Sequence, residues 1–396
     1  MKYFESVKNI AKTFLFCSLK ILLTLLAVWL FLVAAYLSVL FIDWRIAAAA
    51  LPFVLVMLVL LVGWCLPAGK ARSRIFLAGG CLALAVVIGI TSMIGVNLYE
   101  QSVTIYDRVS GTASYPRAYL PFDKNADIAR LDGEASEHFT LSNAPRIVTV
   151  SNTYPLTASF VNAVYPETDF DAYGESTYLA VNRSFSFVTE GKYDVCIGQS
   201  GSGNFDLIGE ENYAALQKTP IARDAVVLYT HEDNGVTDLT SEQLKGILTG
   251  EIVNWQDVGG ENRKIKLFTR HDLTCARDLL EDYIGEDMID GETEWQFVFP
   301  YFAFGKYTME YRNERGALGF TYLSQIDEQY KNTHMISIDG VSASKDTISD
   351  GSYPVCEDIL AATRTDPSAE TERLIDWILS EEGQSLVEKS GFAPIG

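Results

Sequence analysis

The strongest constraint on this chain is the presence of three long apolar runs before residue 99. The runs cover residues 21–42, 46–66 and 75–98, and they contain 22, 21 and 24 residues without a charged side chain. A helix of about 20 apolar residues crosses a hydrocarbon layer of about 30 Å. Each run therefore predicts a transmembrane helix, and together they predict a multi-pass anchor in the lipid bilayer. The alternative for the first run is a signal peptide, whose apolar core is usually only about 7–15 residues long.

Basic residues flank the runs unevenly and predict the orientation of the anchor. They lie before the first run and between the second and third runs, at Lys2, Lys8, Lys12, Lys20, Lys70, Arg72 and Arg74. Short segments rich in Lys and Arg stay on the cytoplasmic side of a membrane. The pattern therefore predicts a cytoplasmic N-terminus and, after three crossings, an extracellular location for residues 99–396.

The charge of the chain also changes at residue 99. Residues 1–98 carry a net charge of +6 and residues 99–396 a net charge of −26, which gives −20 for the whole chain. A strongly acidic outer part argues against nucleic acid as a partner. Any anion site in residues 99–396 must therefore be a local basic exception to this negative charge. The sequence has no CxxC motif and no Cys/His cluster, so neither a metal site nor a cofactor is expected.

The outer part divides into a stalk, residues 99–145, and a compact domain, residues 146–396. Short apolar strands in the domain, such as those at residues 147–150, 178–181 and 225–229, alternate with segments of helical periodicity. This alternation predicts an α/β fold with largely parallel sheets.

Four loops of the domain follow strands and supply the candidate ligand residues. Ligands of parallel α/β sheets bind at the carboxyl ends of the strands, near helix N-termini. The loops cover residues 149–153, 181–184, 198–203 and 269–277 and are rich in Ser, Thr, Asn, Gln and Gly. The candidates are Asn152, Thr153, Asn182, Ser184, Gln199, Ser200, Arg270, Thr274, Cys275 and Ala276. No carboxylate dyad, GxSxG or Walker motif is present. This favours binding over catalysis, although a nucleophile and base brought together only by folding would leave an extracellular enzyme as an alternative.

The stretch 239–285 contains the most specific of these loops. Thr240 and Gln243 predict a capping box, and Trp255 is expected in an exposed turn. Thr274 is expected to cap a helix that runs to Gly285. The N-terminus of that helix and Arg270 would together attract an anion. The alternative is an ordinary surface arginine.

Three segments resemble the phosphate-binding protein family, the periplasmic-type receptors of ABC importers for phosphate. They are LTSEQLKGILTGEIVNWQDVGG at 239–260, GALGFTYLSQI at 316–326 and DWILSEEGQSLVEKSGFAPI at 376–395. The resemblance covers about residues 146–396. It implies a two-lobed periplasmic-binding-protein fold of type II, with ligand held between the lobes. Lobe one would comprise residues 146–228 and 335–396, and lobe two residues 229–334.

The resemblance also implies roles for the candidate residues. The family's third loop reads Arg, three residues, then Ser-Gly-Thr; here Arg270 is kept and Thr274 replaces the serine, while Cys275 and Ala276 offer only backbone N–H groups. Thr153 matches the hydroxyl of the first loop, and Gln199 stands where some members have an aspartate. The implied function is a membrane-anchored receptor that binds phosphate or a related oxyanion and works with ABC permease subunits. The alternative is a cell-surface sensing or interaction module that kept the fold.

Overall fold

The structure is a computed structural model that describes residues 69–106, 118–168, 178–181, 185–200, 209–268, 275–289, 291 and 310–395. The chain forms two compact units, residues 1–102 and residues 103–396.

The first unit is described only by helix α1, Lys70–Val103. This helix includes the third apolar run, so the helical conformation predicted for residues 75–98 is confirmed. Within the described ranges, no helix combines the length and the apolar composition needed to cross a membrane. The first two predicted spans, residues 21–42 and 46–66, lie outside the described residues.

The second unit alternates strands and helices, as the sequence predicts. Its strands are β1 (Thr104–Tyr106), β2 (Ile147–Thr149), β3 (Leu179–Val181), β4 (Val195–Gln199), β5 (Gln217–His231), β6 (Asp238–Leu239), β7 (Lys266–Leu267), β8 (Glu310–Arg312), β9 (Ala317–Tyr322), β10 (Thr333–Ile338) and β11 (Cys356–Thr363). Its helices are α2 (Tyr154–Val164), α3 (Ser186–Thr189), α4 (Glu210–Ala214), α5 (Ser241–Leu248), α6 (Cys275–Ile284), α7 (Lys345–Ser349), α8 (Ala369–Leu379) and α9 (Glu381–Lys389). Short 3-10 turns cover Ser151–Thr153, Trp255–Val258, Leu323–Gln325 and Glu328–Tyr330.

The long strand β5 joins two lobes. Its first half pairs with β11, next to β4, β2 and β3, and its second half pairs with β9 and β10. Strand β2 is parallel to β3 and β4, whereas β11, β9 and β10 run antiparallel to β5. The sheet is therefore mixed. The prediction of largely parallel sheets is wrong for the central strands, because β5 and its partners connect the lobes by direct crossover rather than through helices.

Lobe one is built on β2, β3 and β4 and on helices α2, α8 and α9. Its core contains Phe160, whose ring meets the Trp377 ring edge-on at a centroid distance of 6.1 Å. Part of the segment predicted to be a stalk also joins this core, through Ala126, Ile128, Ala135 and Phe139. Residues 126–139 are thus packed against lobe one.

Lobe two contains β6, β7, β9 and β10 and helices α5, α6 and α7. The predicted capping box of Thr240 and Gln243 is present, which confirms the start of α5. The prediction that Trp255 lies in an exposed turn is wrong: the residue is 1% exposed, and its indole N–H donates to the Gly316 carbonyl at 3.0 Å. A buried aromatic ring contributes hydrophobic stabilisation that an exposed turn would not provide. Residues 336–355 also pack on this core, through Ile336, Ile338, Ile348, Tyr353 and Val355.

Strand β1 belongs to lobe two. It pairs antiparallel with β8, and Ile105 packs with Tyr229, Phe268 and Tyr311. The segment that follows α1 therefore contacts lobe two first, and residues 126–139 contact lobe one.

Candidate ligand site

Three parallel strands end at the same edge of lobe one. In the register of the sheet, Thr149 of β2 lies opposite Val181 of β3 and opposite Ile197 of β4. The ends of the three strands are consequently neighbours. The loop containing Asn152 and Thr153 lies next to the end of β4. The two candidates after β3, Asn182 and Ser184, lie outside the described residues.

This edge lies beside the crossover between the lobes. Gln199, the last residue of β4, is opposite Ile359 of β11, which in turn is opposite Ala222 of β5. The backbone N–H of Ser200 donates to the carbonyl of Asp358 at 3.0 Å. The end of β4 therefore lies beside the point where the chain passes from one lobe to the other.

Thr153 holds the ends of β2 and β4 together. It is fully buried, and its hydroxyl lies 2.8 Å from the Thr149 hydroxyl and donates to the Ile197 carbonyl at 3.0 Å. It occupies the N-cap position of α2 without making a capping bond. A hydroxyl has a single hydrogen. To donate to a ligand, Thr153 would have to turn that hydrogen away from Ile197.

Asn152 makes a hydrogen bond between the lobes. Its side-chain Oδ1 accepts from Gln325 Nε2 at 3.3 Å, and Gln325 Oε1 accepts from the Thr321 hydroxyl at 3.0 Å. Gln325 belongs to the 3-10 turn after β9, and the sequence analysis did not select it. The only signal in the sequence was its place within the family-like segment at 316–326.

The remaining candidates on this edge with described side chains are Gln199 and Ser200. Gln199 is 2% exposed, whereas Ser200, one residue beyond the strand, is half-buried. Only a small part of the glutamine surface is accessible to a ligand.

A buried carboxylate lies at the crossover and was also missed from the sequence. Asp224 of β5 is 2% exposed and accepts hydrogen bonds from the Ser324 hydroxyl at 2.5 Å, the Ser324 N–H at 3.2 Å and the Ala225 N–H at 2.9 Å. Burial raises the pKa of Asp224 to about 7, although the three hydrogen bonds act in the opposite direction. An aspartate directly before the apolar strand 225–229 was the signal available in the sequence.

A second buried acidic residue lies opposite Asp224 in the sheet. Glu357 of β11 is its direct antiparallel partner and is 7% exposed. Its carboxylate accepts a hydrogen bond from the Tyr322 hydroxyl. Directly opposed residues of an antiparallel pair project from the same face. Two carboxylates of the crossover thus accept hydrogen bonds from hydroxyl groups at one place. The donors are Tyr322, the last residue of β9, and Ser324, in the turn that follows.

Arg223, the described arginine beside this edge, is neutralised by Asp358, which it bonds at 2.9 Å. Arg146 and Arg364 lie at the opposite ends of these strands, where they contact Asp194 at 3.1 and 3.8 Å. Within the described part of the chain, the groups at the strand ends that can hold a ligand are therefore amides, hydroxyls and backbone N–H groups.

The fourth predicted loop is described only at its end. Arg270 and Thr274 lie outside the described residues, whereas α6 begins at Cys275, directly after the expected cap. Gly285 ends the helix with φ of 70°, as predicted. Ala276 is 2% exposed and packs in the core of lobe two, so only its backbone can serve a ligand.

Comparison with known proteins agrees with this architecture. The protein-family model described as "PBP superfamily domain" matches residues 200–382 of this chain. Phosphate-binding protein PstS of Bacillus subtilis is 26% identical over 278 residues, which cover 68% of this chain and 85% of that protein. Phosphate-binding protein PstS of Borreliella burgdorferi is 26% identical over 233 residues, which cover 57% of this chain and 79% of the relative.

Among solved structures, a putative phosphate ABC transporter substrate-binding protein from Clostridium perfringens, crystallised with bound phosphate, is 26% identical. The match covers 64% of this chain and all of that chain, with a TM-score of 0.47. The match to the PBP superfamily domain and the two PstS relatives confirm the predicted resemblance of the outer domain to the phosphate-binding protein family.

Proposed function

We propose that this chain is a membrane-anchored extracellular receptor that captures phosphate or a related oxyanion between its lobes and delivers it to an ABC importer. The observation that carries the proposal is that the end of β4, next to the end of β2, lies beside the crossover, and that Asn152 of lobe one accepts a hydrogen bond from Gln325 of lobe two. The named phosphate-binding relatives support the choice of ligand.

The proposed ligand contacts come from both lobes. Lobe one offers Asn152, Thr153, Asn182, Ser184, Gln199 and Ser200, and lobe two offers Arg270, Thr274 and the backbone N–H groups of Cys275 and Ala276. An anion that contacts both sets is bound more tightly when the lobes are closed than when they are open. This difference in affinity drives closure, because a ligand shifts a conformational equilibrium only by its differential affinity for the two states.

Arg270 is the proposed source of positive charge. Arg223, the described arginine beside these strand ends, already has Asp358 as its acidic partner, so it offers little net charge to an anion. A guanidinium binds a tetrahedral oxyanion through two parallel N–H groups, and charge-assisted bonds of this kind are about twice as strong as neutral ones.

The membrane anchor is the second part of the proposal. It is supported by the three apolar runs of 22, 21 and 24 residues and by the basic residues that flank them. An anchored receptor stays close to the permease in the same membrane. Tethering raises the effective concentration of one partner for the other, so a weak contact between them suffices for delivery.

Titration calorimetry of the full-length protein tests the site. We expect the wild type to bind phosphate and Arg270→Ala to weaken binding by more than about tenfold, which corresponds to about 1.4 kcal/mol. Arg263→Ala removes a half-exposed arginine of the same lobe and serves as a matched control with unchanged affinity. The absence of heat and of a thermal shift with millimolar phosphate, sulfate and molybdate would refute oxyanion binding.

A second candidate function is a sensing or interaction module without transport. It is favoured by the buried hydroxyl of Thr153, which is engaged with Ile197, and by Cys275 and Ala276 in place of the family's Gly-Thr. Copurification distinguishes the two functions. A receptor for transport is expected to be recovered with permease and ATPase subunits of an ABC importer, whereas a sensor is expected to be recovered without them.

A further inference from the structure

The 3-10 turn Leu323–Gln325 is fixed to the crossover strand. Ser324 donates to Asp224 through both its hydroxyl and its backbone N–H, at 2.5 and 3.2 Å. On its other side the turn is tightly packed: a Cβ added to Gly391 would lie 3.2 Å from the Ser324 carbonyl oxygen. The residue that follows, Gln325, therefore projects from a rigid base.

The amide of Gln325 is held at both of its ends. The Thr321 hydroxyl, 4% exposed, donates to Oε1, and Nε2 donates to Asn152 Oδ1. In this orientation Oε1 faces the Thr321 hydroxyl, and the N–H groups of Gln325 point toward the loop of the other lobe.

The same chain of bonds sets the orientation of Asn152. Its carbonyl oxygen is occupied by Gln325, which leaves the side-chain NH₂ as the group that can face a ligand. Asn152 is half-buried and lies in the 3-10 turn Ser151–Thr153 that follows β2. An NH₂ donor suits an oxyanion, whereas an amide flipped by 180° would present its oxygen and repel one.

We propose that Gln325 is a positioning residue for the anion site: it holds Asn152 in the orientation that donates to the ligand, and it does so from the opposite lobe. The inference rests on the proposed function, because it assigns a role within that site. It adds a specificity element, since the same orientation disfavours a cationic ligand.

Two substitutions distinguish positioning from a merely structural role. Gln325→Leu removes the bond, and we expect phosphate affinity to fall about three- to tenfold, the worth of one hydrogen bond. Gln325→Glu keeps the length but replaces the donor with an acceptor. Asn152 then turns its NH₂ toward the glutamate and its oxygen toward the anion, so we expect Glu to weaken binding more than Leu.

The added charge of Gln325→Glu is controlled within the same chain. Gln329 lies in the next 3-10 turn, and its Nε2 donates to Asp327 within that turn at 3.2 Å. Gln329→Glu and Gln329→Leu introduce the same changes without touching Asn152. We expect both to leave phosphate affinity unchanged.

The closing experiment is a double-mutant cycle on the full-length protein, with phosphate affinity measured by calorimetry. In an Asn152→Ala background, we expect Gln325→Leu to have no further effect, because Gln325 acts through Asn152. An equal loss in both backgrounds, or no loss in the wild-type background, would overturn the inference while oxyanion binding stands. A wild type that binds no oxyanion would overturn the proposed function and this inference with it.

A third variant covers the case in which Gln325→Leu lowers the thermal midpoint of the unliganded protein. Thr321→Val removes the hydroxyl that orients Gln325 and conserves the shape of the side chain. We expect it to weaken phosphate binding in the same direction, and again only when Asn152 is present. A loss that persists without Asn152 would count against positioning.

Discussion

Asp224 makes stability depend on pH in a direction opposite to that of most paired carboxylates. Its side chain is buried at the crossover, and its pKa in the folded protein is about 7. In an unfolded chain the pKa of an aspartate is about 3.9. The folded state therefore binds the proton more tightly, and replacing the carboxylate with a neutral isostere tests this directly.

The magnitude follows from the difference between the two pKa values. The contribution of Asp224 to the free energy of unfolding is full below about pH 4 and is lost as the pH rises to about 7. A shift of about 3 units corresponds to a loss of about 4 kcal/mol at most. In Asp224→Asn the amide resembles the protonated acid: Oδ1 accepts the Ser324 and Ala225 N–H groups, and Nδ2 donates to the Ser324 hydroxyl. The free energy of unfolding of the variant should therefore not decrease in this way as the pH rises.

Chemical denaturation of wild type and variant at a series of pH values measures this term. Other carboxyls, such as Glu137, whose pKa is lowered chiefly by its hydrogen bond from Arg373, titrate equally in both proteins and cancel in the difference. We expect the two proteins to be similar in stability near pH 4 and the variant to be more stable by up to about 4 kcal/mol near pH 8. A difference that stays constant with pH, or that favours the wild type at high pH, would show that the three hydrogen bonds keep Asp224 ionised.

Two further predictions concern the packing of the lobes. Phe139→Ala should lower the free energy of unfolding by about 3–5 kcal/mol, because the ring is 4% exposed in the core of lobe one and lies under Arg373. Chemical denaturation measures the loss. A change below about 1 kcal/mol would mean that residues 126–139 do not belong to that core. Gly319→Ala should cost about 1–3 kcal/mol, because the new Cβ would lie 2.6 Å from the ring of Tyr229. Tyr229→Leu should reduce that cost, and equal costs in both backgrounds would contradict the packing argument.

Local features of the fold were predictable from short stretches of sequence. The capping box of Thr240 and Gln243 and the helix end at Gly285 depend on residues a few positions apart, and both are present. The strand at 147–150 was predicted to within one residue. Such features are set by backbone hydrogen bonds and conformational preferences that a short window contains.

Features that depend on distant partners were not predictable in this way. Trp255 looked like a turn residue because Asn254 and Gly259–Gly260 surround it, yet its ring is buried and its N–H finds Gly316, 61 residues away. Strand β5 was predicted only for residues 225–229 and extends from Gln217 to His231. Its first half contains charged residues and Pro220, which obscured the pattern, and pairing with β11 supplies the order that the local sequence lacks.

The same reasoning explains why the candidate site was predicted only in part. The strand-end loops follow from the alternation of strands and helices, and the parallel register of β2, β3 and β4 places the ends of these three strands side by side. The groups that orient those loops come from the other lobe: Gln325 is 173 residues from Asn152, and Ser324 is 100 residues from Asp224. Ser324 and Gln325 are consecutive, so one turn bonds both the buried carboxylate of the crossover and the first ligand loop. Asp224→Asn preserves the base of this turn, whereas Gln325→Leu removes only its outer contact. The two variants therefore separate the stability of the crossover from the orientation of the ligand donor.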